Sequence, residues 1–286
     1  MIAAISTIRN EEDIIQFCLH HFLQQGVDFI LVENNASTDK TLEIVTAMAQ
    51  NDDRIIVYNN EGEYHSSEAL TFLAEEARQL GCEWVIPFDA DELWGSTNGL
   101  KNDLKNVDPK YAAVEFIFEN FVQSKNYDKN SILSTMNYKV PSFASDLDII
   151  QNRRSWIEAG PVIKFLVRTY EGIQIPAGSH TYSRSHIPYF FSEDFFAYHL
   201  PMRSYDNLVT RAENGKRLID AGYDPGFGWQ NQRFYSIMKE GMLREEFDAN
   251  FEEDGKLTRR DRSVLVLERS DYVSIQYNKF KTNEEK

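Results

Sequence analysis

The sequence predicts an α/β fold in which helices flank a mostly parallel central sheet, followed by a helical carboxyl-terminal extension. Over the first hundred residues, short apolar runs rich in β-branched residues alternate with segments of helical periodicity. The links between these segments are short, which implies right-handed crossovers between parallel strands. Two helical segments follow residue 200, and they predict the extension.

The first strands and helices follow one another in regular order. Residues 2–8 form a short, largely apolar run rich in β-branched residues, which suits a strand buried on both faces. Asn10 is predicted to cap the next helix, which has acidic residues in its first turn and stops at Gly26. The remaining elements of this part are strands at 29–33, 55–58 and 84–88, and helices through 42–48 and 69–77.

The pattern changes after about residue 110. A polar stretch at 123–154 is interpreted as an insertion or a mobile loop. The elements predicted around and beyond it are strands at 114–118 and 162–168, helices at 204–219 and 229–246, and a strand-like alternation at 263–277. These elements predict one domain at residues 1–203 and a mainly helical extension at 204–286.

The charge balance excludes one class of partner. Thirty basic and forty-five acidic residues give a net charge of -15. Such a surface repels a phosphate backbone, so we expect no nucleic-acid binding. An anionic ligand would need a local positive charge, and a divalent cation would supply it.

Cysteine usage and hydropathy bear on the compartment. Cys18 and Cys82 are too few for a disulfide framework, and we expect buried free thiols. The first residues do not resemble a secretion signal, and no window approaches the roughly twenty apolar residues of a membrane span. The chain is therefore expected to be cytoplasmic, with transient membrane association through a partner left open.

Three carboxylates follow the predicted strand at 84–88 almost at once. Asp89, Asp91 and Glu92 lie within four residues, and like charges so close together repel unless a positive charge lies among them. Hard cations such as Mg²⁺ and Mn²⁺ prefer carboxylate oxygen. The pattern therefore favours a metal site at Asp89 and Asp91, with a solvated acidic turn as the alternative.

A second polar segment, residues 34–41, follows the predicted strand at 29–33. Considered alone, it is also explained as a turn with a helix cap supplied by Ser37, Thr38 or Asp39.

Taken together, three motifs in this order resemble those of a known enzyme family. Arg9-Asn10-Glu11 matches an R-N-E-like segment after an opening strand, residues 34–39 match a D-D-G-S-T-D-like loop, and Asp89-Ala90-Asp91 matches a D-x-D motif. The chain resembles the inverting, family-2-type glycosyltransferases of the GT-A fold, especially their bacterial single-domain members. The resemblance covers roughly the first hundred residues.

The resemblance implies a function and a division of the first domain. It implies metal-dependent, inverting transfer of a sugar from a nucleotide-diphosphate-sugar donor to a glycan or lipid-linked saccharide acceptor, and by analogy a role in polysaccharide biosynthesis. The cofactor would be Mn²⁺ or Mg²⁺, and the donor a UDP-sugar by preference. Residues 1–110 would form the nucleotide-sugar-binding half and residues 111–203 the acceptor half.

The resemblance also implies roles for individual residues. The family usually has acids where this chain has Asn34 and Asn35, which leaves the donor base open. Asp91 would coordinate the cation that bridges the diphosphate. The other implied contacts are Thr7, Arg9 and Glu11 near the nucleoside, Asn35 facing the base, Asp39 supporting that loop, Asp89 near the donor ribose or metal, and His199 as a further metal ligand.

An inverting enzyme needs a general base for the acceptor hydroxyl. No motif identifies it, and Glu158 is our first choice ahead of Asp146, Asp148 and Asp194. His180 is a second histidine that follows a predicted strand.

Two other functions stay open at this point. A nucleotidyltransferase also uses an acidic metal site, although residues 6–12 lack the glycine of its usual phosphate loop. A noncatalytic nucleotide- or sugar-binding protein of the same fold would keep the donor site and lack the base.

Overall fold

The structure is a computed structural model that describes residues 1–62, 66–151, 153–160, 163–176, 187–259 and 261–284. It divides into two compact units. The first unit comprises Met1–Glu119 and Val162–His199, and the second comprises Asn120–Pro161 and Leu200–Lys286. This division groups residues 120–161 with the carboxyl-terminal segment. The units are defined by compactness, so the catalytic domain at 1–203 and the extension at 204–286 stay a prediction.

Strands and short helices alternate along much of the chain. The strands are β1 (Ile2–Ile8), β2 (Phe29–Asn35), β3 (Ile55–Asn60), β4 (Trp84–Pro87), β5 (Glu92–Ser96), β6 (Ala113–Val122), β7 (Tyr138–Lys139), β8 (Ile163–Arg168), β9 (Tyr189–Phe191), β10 (Phe195–His199), β11 (Glu252–Glu253), β12 (Lys256–Thr258), β13 (Val264–Val266) and β14 (Glu268–Arg269). The helices are α1 (Ile15–Gln24), α2 (Thr41–Asn51), α3 (Ser66–Gln79), α4 (Leu100–Lys105), α5 (Asp146–Ile150), α6 (Tyr205–Asp220), α7 (Trp229–Lys239), α8 (Leu243–Asp248) and α9 (Tyr272–Glu284).

The first unit is built on a sheet with a parallel centre. Strand β1 lies between β2 and β4, β3 lies beyond β2, and these four strands run parallel. On the other side of β4, β8 runs antiparallel to β4 and to β6. This arrangement confirms the predicted fold class, a mostly parallel sheet flanked by helices.

Both faces of this sheet are covered by apolar side chains. Alternate residues of β1 belong to different clusters: Ile2 and Ala4 pack with α1, α2 and α4, whereas Ala3 and Ile5 pack with α3. A strand buried on both faces is mostly apolar, as β1 is except at Ser6 and Thr7, which is why the run at 2–8 could be recognised in the sequence.

The second unit has its own core, to which α6, α7 and α8 contribute Leu208, Phe234 and Phe247. Its strands β11, β12 and β13 form an antiparallel sheet, and β14 pairs with β7. The polar stretch at 123–154, interpreted as an insertion or mobile loop, contains β7 and α5.

Three predicted elements are wrong in their bounds or type. The first helix begins at Ile15 and has no acidic residue in its first turn, while Asn10 adopts a positive φ of 54°. The predicted helix at 229–246 is two helices, α7 and α8, because Gly241 has φ +74° between them. Residues from Tyr272 form the helix α9, not a strand.

Two further expectations concern thiols and membranes. Cys18 and Cys82 are buried and free, as predicted. Within the residues that the structure describes, no helix combines the length and the apolar character needed to cross a membrane.

Gly215 sets the approach of α6 to α7, because a Cβ at this position would overlap the backbone carbonyl of Asn231. Gly→Ala in a helix normally stabilises by about 1 kcal/mol. Here we expect Gly215→Ala to lower the free energy of unfolding by about 1–3 kcal/mol through overpacking. Urea unfolding measures this, with Glu213→Ala on the exposed side of α6 as the control. A stabilised Gly215→Ala variant would contradict the packing described.

Candidate functional site

In the first unit, polar loops follow the carboxyl-terminal ends of the parallel strands, all at the same end of the sheet. The loop after β1 contains Arg9 and Asn10, the loop after β2 contains Ala36 to Lys40, and the loop after β4 contains Asp89. In open α/β sheets, ligands bind beyond the carboxyl ends of the strands. These loops therefore define the candidate site.

Hydrogen bonds join the loops after β1 and β2. Arg9 Nη1 donates to the backbone carbonyls of Asn35 at 2.6 Å and Ala36 at 2.7 Å. Asn10 Oδ1 accepts from the backbone N–H of Thr38 at 2.8 Å, and the Asn10 N–H donates to Ser37 Oγ at 3.1 Å. The predicted capping role of Asn10 is thus corrected, since its side chain serves the neighbouring loop.

Asp39 extends this connection. Its Oδ1 accepts from the backbone N–H of Thr41 at 2.9 Å, and its Oδ2 accepts from that of Glu12 at 3.2 Å. The N–H of Glu11 donates to Thr41 Oγ1 at 2.8 Å, and Glu12 Oε2 accepts from the N–H of Lys40 at 2.9 Å. The two loops therefore form one hydrogen-bonded structure.

Amide side chains occupy the end of β2. Asn34 and Asn35 are both buried, and Asn34 Nδ2 donates to Asn59 Oδ1 at 2.8 Å. Within the described residues, Asn34 Oδ1 is buried and has no hydrogen-bond partner. A buried acceptor of this kind is normally satisfied by water or a ligand. Thr7 lies next to these amides, in register with Glu33.

The three carboxylates after β4 have different surroundings. Glu92 is buried, and its Oε2 accepts from Trp94 Nε1 at 2.8 Å and from the backbone N–H of Asp89 at 3.2 Å. The ammonium of Lys164 in β8 lies 2.7 Å from Glu92 Oε1 and 2.7 Å from Asp89 Oδ2. Asp91 lies between these two acids in sequence, and its side chain is 10% exposed.

Burial and ion pairing oppose each other in this cluster. Burial raises the pKa of Glu92 above its ordinary value, against the lowering effect of Lys164. Burial lowers the pKa of Lys164, but Asp89 and Glu92 outweigh it, so the pKa of Lys164 is raised and its side chain stays protonated. One ammonium among three carboxylates leaves an acidic site.

His199 completes the cluster at the end of β10. Strand β10 pairs with β5 so that His199 lies in register with Glu92. His199 Nε2 is 3.5 Å from Asp91 Oδ2, and the His199 ring packs edge-on against Phe118, with 5.0 Å between centroids. Two ligands of one octahedral Mn²⁺ or Mg²⁺ stand about 3 Å apart. A carboxylate and an imidazole at this separation fit a divalent cation.

A bound donor and water would supply further ligands of such an ion. Across the described part of the chain, no group of three His, Cys, Asp or Glu side chains is arranged to hold a metal. A donor phosphate and water are the usual completion of a site with one or two protein ligands.

Glu158, the predicted general base, lies in the second unit. It is buried, and Arg259 donates to both of its carboxylate oxygens at 2.8–3.0 Å. The N–H of Ser155 also donates to Glu158 Oε2, at 3.2 Å. Arg259 therefore occupies both oxygens of the predicted base. His180 lies outside the described residues.

The sequence analysis did not identify Lys164. The available signal was a lysine within the apolar run 163–167, where a strand buried on both faces normally carries no charge. Its partners are 72 and 75 residues away, so only the folded chain reveals them.

The part of the chain that carries these loops matches the model of a known protein family. Residues 4–136 match the model of the family described as Glycosyl transferase family 2. Over these residues the chain is similar to glycosyl transferase family 2. The match confirms the family and the GT-A fold class predicted from the three motifs. No curated protein matches the chain in sequence.

Solved structures similar to this chain are distant in sequence. S. aureus TarS 1-349 in complex with UDP is 14% identical, with TM-score 0.45 over 88% of this chain and 75% of that chain. Mannosyltransferase PcManGT from Pyrobaculum calidifontis, in complex with GDP-Man and Mn²⁺, is 15% identical, with TM-score 0.46 over 86% of this chain and 72% of that chain.

His21, in helix α1 of the family-2 segment, gives the fold a pH dependence. Burial lowers its pKa to about 4, and its Nε2 contacts the Trp94 carbonyl at 2.9 Å. The unfolded chain binds a proton below about pH 6.5 and the folded chain does not, so stability falls as the pH drops towards 4. Between pH 7 and 5 we expect a loss of about 2 kcal/mol from this residue.

Urea unfolding of the wild type and of His21→Gln at the two pH values measures this contribution. The His21→Gln variant loses that part of the pH dependence, and His20→Gln, one residue away, retains it. Equal pH dependence in the wild type and His21→Gln would contradict the buried neutral imidazole.

Proposed function

We propose that this chain transfers a sugar from a nucleotide-diphosphate-sugar donor to the hydroxyl of a glycan or lipid-linked saccharide, with inversion and with a divalent cation. One observation carries the proposal. A carboxylate and an imidazole, Asp91 and His199, stand 3.5 Å apart beside the family-2 D-x-D carboxylate Asp89, at the sheet edge that also bears the buried amides.

The cation would be held by Asp91 and His199. When bound, it supplies a Lewis acid for the departing nucleoside diphosphate. Of the two candidate ions, Mn²⁺ accepts an imidazole ligand more readily than Mg²⁺, which prefers oxygen alone. Asp89, ion-paired with Lys164, would face the donor ribose or the metal.

The nucleoside would lie against the loops after β1 and β2. Thr7 and Asn35 would contact it, while Arg9, Glu11 and Asp39 would act through the hydrogen bonds that shape the loops. Uracil is the base that the family resemblance favours, and guanine is the alternative, because an amide can accept from the ring N–H and donate to the neighbouring carbonyl of either base. Relatives of similar fold bind UDP or GDP-Man, and both nucleotides belong in any test.

The transfer itself exchanges one bond at the anomeric carbon. The acceptor oxygen forms a bond to the anomeric carbon on the face opposite the diphosphate. The bond from that carbon to the bridging phosphate oxygen breaks, and its electron pair stays on the diphosphate. The acceptor proton passes to a base. Glu158 is proposed as that base, which requires Arg259 to release it. The free thiols agree with a cytoplasmic setting, which is part of the proposal, together with a role in polysaccharide biosynthesis.

Donor binding tests this function by calorimetry with a panel of nucleotide sugars, with Mn²⁺ or with chelator. We expect one donor to bind with Mn²⁺, and Asp91→Asn or chelator to weaken it by about 100-fold or more, since even indirect ligand supports contribute 10–100-fold. Asp53→Asn is the matched control, because it removes the same charge at the turn before β3, at the opposite edge of the sheet.

Two results would count against the proposal. A folded protein that binds no donor would remove the donor site. A protein that binds a donor with metal, yet neither hydrolyses it nor transfers its sugar to any saccharide, would be a noncatalytic binder of the same fold.

A further inference from the structure

Lys164 is a charged side chain in a place where charges are costly. It lies within β8, opposite Phe116 of β6, and its side chain is 0% exposed. A buried ammonium requires close counter-charges, and it has two, each at 2.7 Å. The face of the Phe118 ring lies 6.0 Å from the same ammonium.

The two carboxylates that Lys164 joins differ in their access to solvent. Glu92 is 1% exposed, and its second oxygen is occupied by Trp94 and by the backbone N–H of Asp89. The Asp89 side chain is 47% exposed. To neutralise Glu92, the Lys164 ammonium needs only its ion pair with that carboxylate. The second bond, to Asp89, connects the buried charge to a carboxylate that a ligand can reach.

A divalent cation beside Asp91 would attract Asp89 as well. The two aspartates are two residues apart, and His199 already lies 3.5 Å from Asp91. Lys164 opposes this attraction, because its ammonium holds Asp89 Oδ2 and repels a cation near that oxygen.

On the basis of the proposed function, we propose that Lys164 is a positioning residue that holds Asp89 away from the cation and keeps it available to the donor. The cation then takes Asp91 and His199 as its protein ligands. If Lys164 were only structural, it would neutralise Glu92 and have no effect on the binding of Mn²⁺ or of the donor nucleotide.

If Lys164 has this role, its removal changes the affinities for Mn²⁺ and for UDP in opposite directions. Freed from Lys164, Asp89 can join the metal, so Mn²⁺ alone binds about tenfold tighter, because affinity follows the number of charged ligands. The same release misplaces Asp89 for the donor, so UDP in saturating Mn²⁺ binds about 10–100-fold more weakly, the usual effect of losing a second layer of support.

The experiment uses the full chain and a charge-matched pair of changes. Lys164→Met alone leaves Glu92 buried without its counter-charge, and this variant is expected to lose stability. Lys164→Met/Glu92→Gln removes both charges, and the amide oxygen still accepts from Trp94. Mn²⁺ affinity is measured from the free-ion EPR signal without nucleotide, UDP affinity by calorimetry, and folding by urea unfolding.

Two controls accompany the double variant. Glu92→Gln alone keeps the bond from Lys164 to Asp89, and should show neither tighter Mn²⁺ binding nor the weaker UDP binding. Arg233→Met/Glu246→Gln removes a buried ion pair of the second unit, and should change stability without changing Mn²⁺ affinity.

Tighter Mn²⁺ binding with weaker UDP binding in the folded double variant would support the proposal. Unchanged affinities for Mn²⁺ and for UDP would contradict the proposal and show that Lys164 only neutralises Glu92. Weaker Mn²⁺ binding would also contradict it, because it would show that Lys164 does not compete with the cation for Asp89. A folded wild type that binds no Mn²⁺ would reject the metal site of the proposed function, and with it the premise of this inference, before any variant is compared.

Discussion

The ammonium of Lys164 lies at the centre of a chain of contacts that builds the acidic end of the sheet. It neutralises Glu92, whose other oxygen accepts from the Asp89 N–H and thereby fixes the turn after β4. That turn starts β5, and β5 pairs with β10, which ends at His199. A charge buried in β8 is thus connected, through Glu92 and β5, to the strand that brings His199 within 3.5 Å of Asp91.

Two positive charges near these strand ends, those of Arg9 and Lys164, are engaged within the protein. Arg9 is engaged with two backbone carbonyls and Lys164 with two carboxylates. In a chain of net charge -15, a diphosphate would therefore meet amides and acids at this edge. In the proposed function, this electrostatic setting is the reason why a bound cation, and not a basic side chain, would pair with the diphosphate.

Local sequence patterns located the parallel strands and the acidic turn, because both features are recorded in neighbouring residues. They failed where a residue's partner is distant. Asn10 looked like a helix cap, yet its amide bonds to Thr38, and Lys164 is explained only by acids more than 70 residues away. In α9, an apparent alternation concealed Val273, Tyr277 and Phe280, which are buried at helical spacing.

The hydrogen bonds between the loops after β1 and β2 also limit how this protein could be re-engineered or could diverge. Since Asn10 supports Thr38 and Asp39 supports the N–H of Glu12, a changed length in one loop would leave donors or acceptors of the other unsatisfied. Grafting one of these loops from a relative therefore requires grafting the other with it. The loops after β1 and β2 are expected to change together.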